Sequence, residues 1–366
     1  MSLLLLRRLA IIATPILLLA TAPPLSLSAR ADDTPKTVHE AAVLDRIFAN
    51  WKARCDRVHS LHFTVDCRMT FPKGSFDFTS TSNPLPRFDR DQIFEQFGVQ
   101  FWIEGERLCL VTTPMFKVPQ AKLTDTRRVA MRYISDEQTT SNFYASAPYE
   151  TGAAPQPFGR HGFVRHEPDS DSRSQGSAWL PLLLVYRPQF PGISWRREQC
   201  HVVDEKAIID GIACVKFQRG LDTSRMYRVG REEACWVSPA RDDAIAQWMT
   251  KTPNSPDCVA SIKYKKDKTW GWIPWEWSVE TRGIELYEYK VTSYAINQKI
   301  DPGQFSHEFP PGTPVMDESR QPPKLLPTMR FSVVEPDGSR RTISQDEYLR
   351  MLDSPTKNVP AKPQAK

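Results

Sequence analysis

The amino-acid sequence predicts a mainly β protein of the α+β class, in which one long helix precedes an antiparallel sheet. Three observations support this prediction. One long segment has the spacing of an amphipathic helix, several later segments alternate between apolar and polar residues, and turn signals separate most neighbouring segments. Since short turns join antiparallel strands whereas parallel strands need long crossovers, the sheet is expected to be antiparallel.

The predicted helix covers residues 37–58. Its apolar residues recur at intervals that place them on one helical face, and they are Val38, Ala42, Leu44, Ile47, Phe48, Trp51, Cys55 and Val58. The opposite face carries Asp45, Arg46, Lys52 and Arg57. We therefore expect the helix to lie against the sheet with its apolar face inward.

The first predicted strand is SLHFTVDCRMTF, residues 60–71. From Leu61 to Phe71 every second residue is apolar, and the residues between them are polar. Because successive side chains of a strand point to opposite faces, this alternation is typical of a strand with one buried and one wet face.

Turn residues predict two hairpins. In FWIEGERLCL, residues 101–110, a turn at Gly105 and Glu106 would pair Ile103 with Leu108 and Phe101 with Leu110. In EKAIIDGIACVKFQRG the dipeptide Asp210-Gly211 is a preferred type I′ turn. Further strands are predicted in MRYISDEQTTSNFY, SIKYKKDKTWGWIPWEWSVETR and IELYEYKVTSYAI.

Three other segments interrupt or follow the strands. Residues 145–177, rich in Ala, Pro, Gly and Ser, are expected to form a long exposed loop. The apolar stretch from Trp179 to Tyr186, which precedes Pro188, predicts a short helix across the sheet. A capping box, Ser344 with Glu347, predicts another brief helix near the end.

The predicted organisation has three parts. Residues 1–31 have a basic start, an apolar run and small residues before Ala31, the pattern of a secretory signal cleaved after that residue. Residues 32–318 form the main domain, and 319–366 form a C-terminal extension with a short hairpin, a helix and a disordered tail. The mature chain is therefore expected to be periplasmic or secreted and to have no membrane span.

The charge and the cysteine content of the chain exclude several classes of function. The full chain has a net charge of +5, and removal of Arg7, Arg8 and Arg30 leaves 45 − 43 = +2, which argues against nucleic acid as a partner. The seven cysteines contain no C-x-x-C spacing, so zinc and thioredoxin-like chemistry are not expected. Cys200 and Cys214 flank a predicted hairpin and are the first candidates for a disulfide.

The segment TWGWIPWEWSV contains four tryptophans. Period two places Trp275 and Trp277 on the apolar face of a strand, whereas Trp270 and Trp272, around the turn, are the better candidates for an exposed platform. Burial of one indole removes roughly 200 Å² from water, so the core is the favoured location for the first pair.

No catalytic motif is recognisable, and neither a metal nor a cofactor is expected. His62 takes an outward place in its strand, and His161 and His166 would need further ligands to hold a metal. Glu276 and Glu280 imitate a glycosidase acid pair, but outward carboxylates on one strand are usually solubilising charge.

Three segments resemble the LolA-like superfamily of lipoprotein carriers, and in particular its secreted planctomycete type. They are FSHEFPPGTPVMD at 305–317, PLLLVYRP at 181–188 and DGIACVKFQR at 210–219. The resemblance implies a strongly curved antiparallel sheet that forms an incomplete barrel, covered by the N-terminal helix and short helices. It also implies an apolar cavity that holds acyl chains, and no catalysis.

The leading hypothesis is a non-enzymatic extracytoplasmic protein that binds a lipid, an acylated lipoprotein or another apolar ligand. The expected cavity wall consists of Leu61, Phe63, Val65, Phe101, Leu110, Trp275 and Trp277. One alternative is an envelope-sensing module with a filled core, which would contact envelope proteins. Another is a carbohydrate-binding protein that uses exposed tryptophans.

Overall fold

The computed structural model describes residues 38–75, 87–112, 116–120, 123–136, 139–148, 159–166, 179–189, 195–219, 232–251, 256–319 and 328–353. The predicted signal segment and the predicted C-terminal tail lie outside the described residues.

Three α-helices and seventeen strands are present in the described part of the chain. The helices are α1 (Val38–Arg57), α2 (Leu180–Tyr186) and α3 (Gln345–Asp353). The first nine strands are β1 (Ser60–Phe71), β2 (Gln92–Glu104), β3 (Arg107–Thr112), β4 (Phe116–Gln120), β5 (Leu123–Ser135), β6 (Thr139–Pro148), β7 (Gly159–His166), β8 (Cys200–Ile209) and β9 (Ile212–Arg219). The others are β10 (Glu232–Ser238), β11 (Ala244–Lys251), β12 (Cys258–Asp267), β13 (Gly271–Thr281), β14 (Glu285–Ile296), β15 (Pro314–Ser319), β16 (Thr328–Val334) and β17 (Arg340–Thr342).

The strands form one open sheet. Its spatial order is β8, β9, β10, β11, β12, β13, β14, β1, β2, β3, β5, β6, β7, β15, β16 and β17, and β4 pairs with the first half of β5. The described pairings are antiparallel except for that of β7 with β15, which is parallel. The first and last strands do not meet, so the sheet is an incomplete barrel, and the predicted fold class is confirmed.

Local pattern accounts for many of these elements. The predicted first strand and β1 coincide, and Phe101 lies opposite Leu110 in the β2–β3 hairpin as expected. In the β8–β9 hairpin Asp210 and Gly211 both have positive φ, 49° and 76°, as a type I′ turn requires. The Ser344 hydroxyl accepts a hydrogen bond from the Glu347 backbone N–H at 3.1 Å, the N-terminal cap of α3.

The loop prediction for residues 145–177 is wrong at residues 145–148, which belong to β6, and at residues 159–166, which form β7; the rest of that segment lies outside the described residues. Strand β7 pairs with β6 on one side and with β15 on the other. Gly162 makes the position possible, since a Cβ atom there would lie 2.8 Å from the Phe309 ring. The glycine that suggested a loop therefore serves close packing inside a sheet.

The Cys200–Cys214 disulfide is not formed in the structure. Cys200 lies opposite Arg219 at one end of the β8–β9 hairpin, whereas Cys214 lies opposite Ala207 near the turn. The two cysteines belong to different core clusters. The prediction was wrong because residues that flank a hairpin meet only when they occupy the same register position.

One large core cluster explains the curvature of the sheet. It joins side chains from β1, β2, β3, β5 and β9 to β14 with side chains from α1 and α2. The ring centres of Phe101 in β2 and Trp277 in β13 lie 6.4 Å apart although β14 and β1 separate these strands in the sheet, so the sheet bends around the two helices. Smaller clusters form where β7, β15 and β16 continue the sheet toward α3.

Candidate functional site

The candidate site is the concave face of the sheet, because six of the seven predicted wall residues meet there. Each of the six residues is at most 3% exposed. The six are Leu61, Phe63, Val65, Phe101, Leu110 and Trp277. They come from β1, β2, β3 and β13, whose apolar faces turn inward. The structure therefore brings six of the seven residues together in one buried cluster, and their role as a ligand wall stays a prediction.

Trp275, the seventh wall residue, occupies a different environment. The strand register shifts between Lys263 and Tyr264, which lie opposite Glu276 and Pro274, so Trp275 sits at a β-bulge. It is half-buried against the core, and the Lys265 ammonium lies 4.4 Å from the centre of its ring. The bulge places Trp275 at the border of the site.

Helix α2 fills much of the concavity. All seven of its residues are buried, and four of them, Leu182 to Val185, are 0% exposed. The sequence LPLLLVY contains no charged group, so the helix contacts the sheet through apolar surface. Its N-terminal flank contributes Trp179, whose ring centre lies 4.4 Å from that of Tyr133.

Among the described residues, the polar contacts of α2 itself lie at its C-terminal end. The Tyr186 carbonyl accepts hydrogen bonds from the Cys55 thiol at 2.9 Å and from the Arg187 guanidinium at 2.7 Å. The Val185 carbonyl accepts one from Arg54 at 3.3 Å. These donors satisfy carbonyls that a helix end leaves unpaired, and the positive charges of Arg54 and Arg187 complement the helix dipole. Burial raises the pKa of the Cys55 thiol, which keeps it a neutral donor.

Buried polar atoms without a hydrogen-bond partner among the described residues include three from aromatic side chains of the large core cluster. They are the Tyr186 hydroxyl, the Trp277 indole N–H and the Trp195 indole N–H. A buried donor left unpaired costs about 1–3 kcal/mol. Burial also raises the pKa of Tyr186, so its hydroxyl stays neutral. The interior is thus apolar and contains a few polar atoms that are available to form hydrogen bonds. This composition is typical of ligand sites.

Tyr186→Phe is expected to raise the free energy of unfolding by about 1 kcal/mol, because the substitution removes a buried hydroxyl that has no partner. Urea denaturation monitored by circular dichroism would measure the change.

Tyr264→Phe is the matched control. The Tyr264 hydroxyl donates to the Ile245 carbonyl at 2.7 Å, so its loss is expected to lower stability by about 1 kcal/mol. Destabilisation by both substitutions would show that the Tyr186 hydroxyl has a partner after all.

A cleft of about 540 Å³ lies on the other side of α1. Phe48 and Lys52 of α1 face Trp195 and Arg197 across it, and none of the seven predicted wall residues lines it. The cleft therefore borders the large core cluster, to which Trp195 belongs, but does not reach the predicted wall residues.

A hydrogen-bonded chain of Ser141, His307 and Asp136 has the residue types of a catalytic triad. The Ser141 hydroxyl lies 2.8 Å from His307 Nδ1, and His307 Nε2 lies 3.0 Å from the Asp136 carboxylate. Ser141, however, is 3% exposed near the start of β6, where strand pairing with β5 and β7 uses the neighbouring backbone N–H groups. Without free donors for an oxyanion, these three side chains are better explained as a hydrogen-bonded link between the β5–β6 hairpin and the segment before β15.

The other chemical candidates are dispersed. His62 stacks on Trp102 at 4.8 Å, and His161 stacks on Tyr144 at 4.9 Å. Burial lowers the pKa of His161 to about 4, so the ring is neutral. Glu276 lies 3.6 Å from Lys290 and is thus part of an exposed ion pair. Across the described ranges, no group of three or more His, Cys, Asp or Glu side chains could hold a metal ion.

No described helix is long and apolar enough to cross a membrane.

No family model matches the sequence, and no curated protein matches it. Among solved structures, the chain is similar to a domain from Vibrio parahaemolyticus named for outer membrane lipoprotein sorting, with 12% identity, a TM-score of 0.40, and coverage of 72% of this chain and 97% of that one. It is also similar to a DUF1329 family protein from Desulfovibrio piger, with 10% identity, a TM-score of 0.41, and coverage of 73% and 96%.

A third similar structure is a LolA superfamily protein from Nitrosomonas europaea, with 9% identity, a TM-score of 0.36, and coverage of 71% and 97%.

Proposed function

We propose that this chain is a non-enzymatic extracytoplasmic protein that binds an acyl chain, from a lipid or an acylated lipoprotein, on the concave face of its sheet. The observation that carries the proposal is helix α2. It is wholly buried, has no charged side chain, and its polar contacts with other described residues lie at one end. An acyl chain would take the place of this helix.

An acyl chain offsets a large part of the burial that α2 provides. Burial of a leucine side chain contributes roughly 1.5–3 kcal/mol, and burial of one CH₂ group contributes about 0.8 kcal/mol. An acyl chain of about ten buried CH₂ groups therefore gains on the order of 8 kcal/mol, similar to the burial of four aliphatic residues. Leu182, Leu183, Leu184 and Val185 are four such residues, and the buried Leu180 and Tyr186 add to the free energy that a ligand has to offset.

Polar atoms of the interior would orient the ligand. Trp277 belongs to β13, so its indole N–H remains on the wall when α2 leaves. An ester or amide carbonyl next to the acyl chain would accept a hydrogen bond from it. Loss of the helix also releases the Tyr186 hydroxyl from its unpartnered position, which favours the ligand-bound state.

Acyl binding can be measured directly on the mature chain. A fluorescent fatty acid is expected to show saturable binding with a stoichiometry of one, and an unlabelled fatty acid is expected to displace it. Native mass spectrometry of the purified protein should show an extractable lipid. A folded protein with no saturable binding and no lipid would contradict the proposal.

A filled-core interaction module is the second candidate. The observation that favours it is the packing itself, since six predicted wall residues are at most 3% exposed in the same cluster as α1 and α2. Capture of a specific envelope protein by the mature chain, in the absence of fatty acid binding, would support this candidate over the first.

A further inference from the structure

The end of the β12–β13 hairpin carries an unusual density of exposed lysines. Lys263, Lys265 and Lys266 lie near the end of β12, and Lys268 lies in the turn. All four are exposed. Arg241, in the neighbouring β10–β11 turn, lies 5.3 Å from the ring centre of Trp272 and adds a further positive charge. We refer to these five residues with Trp270, Trp272 and Trp275 as the hairpin patch.

The tryptophans of the patch are half-buried and lie next to cations. The Lys265 ammonium is 4.4 Å from the Trp275 ring centre, and that of Lys266 is 5.7 Å from the Trp272 ring centre. The Trp270 carbonyl accepts a hydrogen bond from Arg57 at 2.8 Å. These contacts hold the indoles in place while the lysines stay in solvent.

Nearby carboxylates neutralise part of the patch. The Asp267 carboxylate accepts hydrogen bonds from the backbone N–H of Thr269 at 2.7 Å, from that of Trp270 at 2.8 Å and from the Tyr294 hydroxyl at 2.7 Å. These bonds lower its pKa, so the carboxylate stays ionised and offsets one positive charge.

Two further carboxylates lie at this end of the sheet. Asp242 lies near Gly271, and Glu276 lies opposite Lys263. Against the five cations, the three carboxylates leave the patch with a net charge of 5 − 3 = +2.

We propose that the hairpin patch docks on the surface of a membrane that contains anionic lipids. Tryptophan favours the boundary between headgroups and acyl chains, where one side of the ring is apolar and the N–H is wet. Lysines at the same level are attracted by anionic headgroups. A soluble polyanion would use the lysines but would gain little from half-buried indoles, so the combination favours a bilayer.

The patch is also connected to the concave face. The Asp267 carboxylate binds the Tyr294 hydroxyl, the Tyr294 ring stacks on Phe63 at 5.9 Å, and the Phe63 ring centre lies 6.3 Å from that of Tyr186 in α2. Docking through the patch therefore brings the C-terminal end of α2 toward the membrane. The docking proposal does not depend on acyl binding, because it concerns the outer surface of the hairpin.

Sedimentation with vesicles tests docking. The mature chain is expected to bind vesicles of phosphatidylcholine with about one third phosphatidylglycerol and to remain in solution with phosphatidylcholine alone. Lys265→Gln with Lys266→Gln is expected to weaken this binding by roughly 20–30-fold, at about fivefold for each lysine. Binding of the wild type is expected to fall as salt is raised.

Lys206→Gln with Lys251→Gln is the matched control, because both lysines are exposed and lie outside the patch. Its affinity for the anionic vesicles is expected to stay within about twofold of that of the wild type, because lysines far from the membrane surface contribute little to the attraction. Equal binding to neutral and anionic vesicles, or equal losses in both double variants, would overturn the proposal. Binding to soluble dextran sulfate without binding to vesicles would assign the patch to a polyanion instead.

Discussion

Asp243→Ala is expected to lower the free energy of unfolding by about 3 kcal/mol, because Asp243 anchors helix α1 to the sheet. Its side chain is 1% exposed and accepts two hydrogen bonds from Arg46, both at 3.1 Å, and one from Asn50 at 2.7 Å. Bonds to charged groups contribute more than neutral ones. Arg46 is partly exposed and would regain water, which keeps the loss below the sum of the three bonds.

Asp242→Ala is the control for this prediction. Asp242 and Asp243 have nearly equal positive φ angles, 55° and 54°, so alanine has the same backbone cost at both positions. The Asp242 side chain is exposed, however, and only its carbonyl binds α1, through Arg54 at 2.7 Å. Urea denaturation should therefore show a much larger loss for Asp243→Ala. Equal losses would mean that backbone strain, rather than the carboxylate anchor, sets the stability of this turn.

Leu183→Ala is expected to lower stability and to strengthen acyl binding. Leu183 is 0% exposed in α2, and substitutions of this kind cost about 2.7–5 kcal/mol. If an acyl chain replaces α2, the same loss favours the state from which the helix has left. Displacement of α2 by a ligand then costs less free energy, and the affinity for a fluorescent fatty acid should rise by up to about 100-fold.

Ile134→Ala is the control for Leu183→Ala. Ile134 is 2% exposed and belongs to a separate cluster with Cys109, Ile300 and Phe305. Its substitution should lower stability by a similar amount and leave the fatty acid affinity unchanged. A fall in affinity for Leu183→Ala would contradict the replacement of α2 by the ligand and would favour binding elsewhere.

The sequence predicts the elements whose signals are local. Strand β1 and the turn at Asp210 and Gly211 were predicted correctly because alternation and turn chemistry depend on neighbouring residues. Strand β7 was missed because its partner β15 lies far along the chain, and because Gly162 is required by the distant Phe309 ring. Long-range packing of this kind leaves no local pattern.

In the candidate site, too, local features were predicted from the sequence and long-range features were not. Alternation correctly placed residues such as Phe63 and Trp277 on the concave face, since the period of a strand determines the side to which each residue points. The apolar stretch at residues 179–186 also predicted the short helix α2 across the sheet, but not that this helix is wholly buried, because that depends on how far the distant strands curve around it. The bulge at Trp275 was missed for a related reason, since it depends on the register with β12.

The pairing of β1 with β14 has a consequence for how the molecule is assembled. Leu61 lies opposite Ile296, so the middle of the sheet joins the beginning of the described chain to a strand near its end. Sheets dominated by such distant contacts fold slowly, and their unpaired strands are prone to aggregate in the meantime. One border of β1 thus stays open until β14 has been synthesised, and a chain truncated before Glu285 would lack the strand that completes its centre.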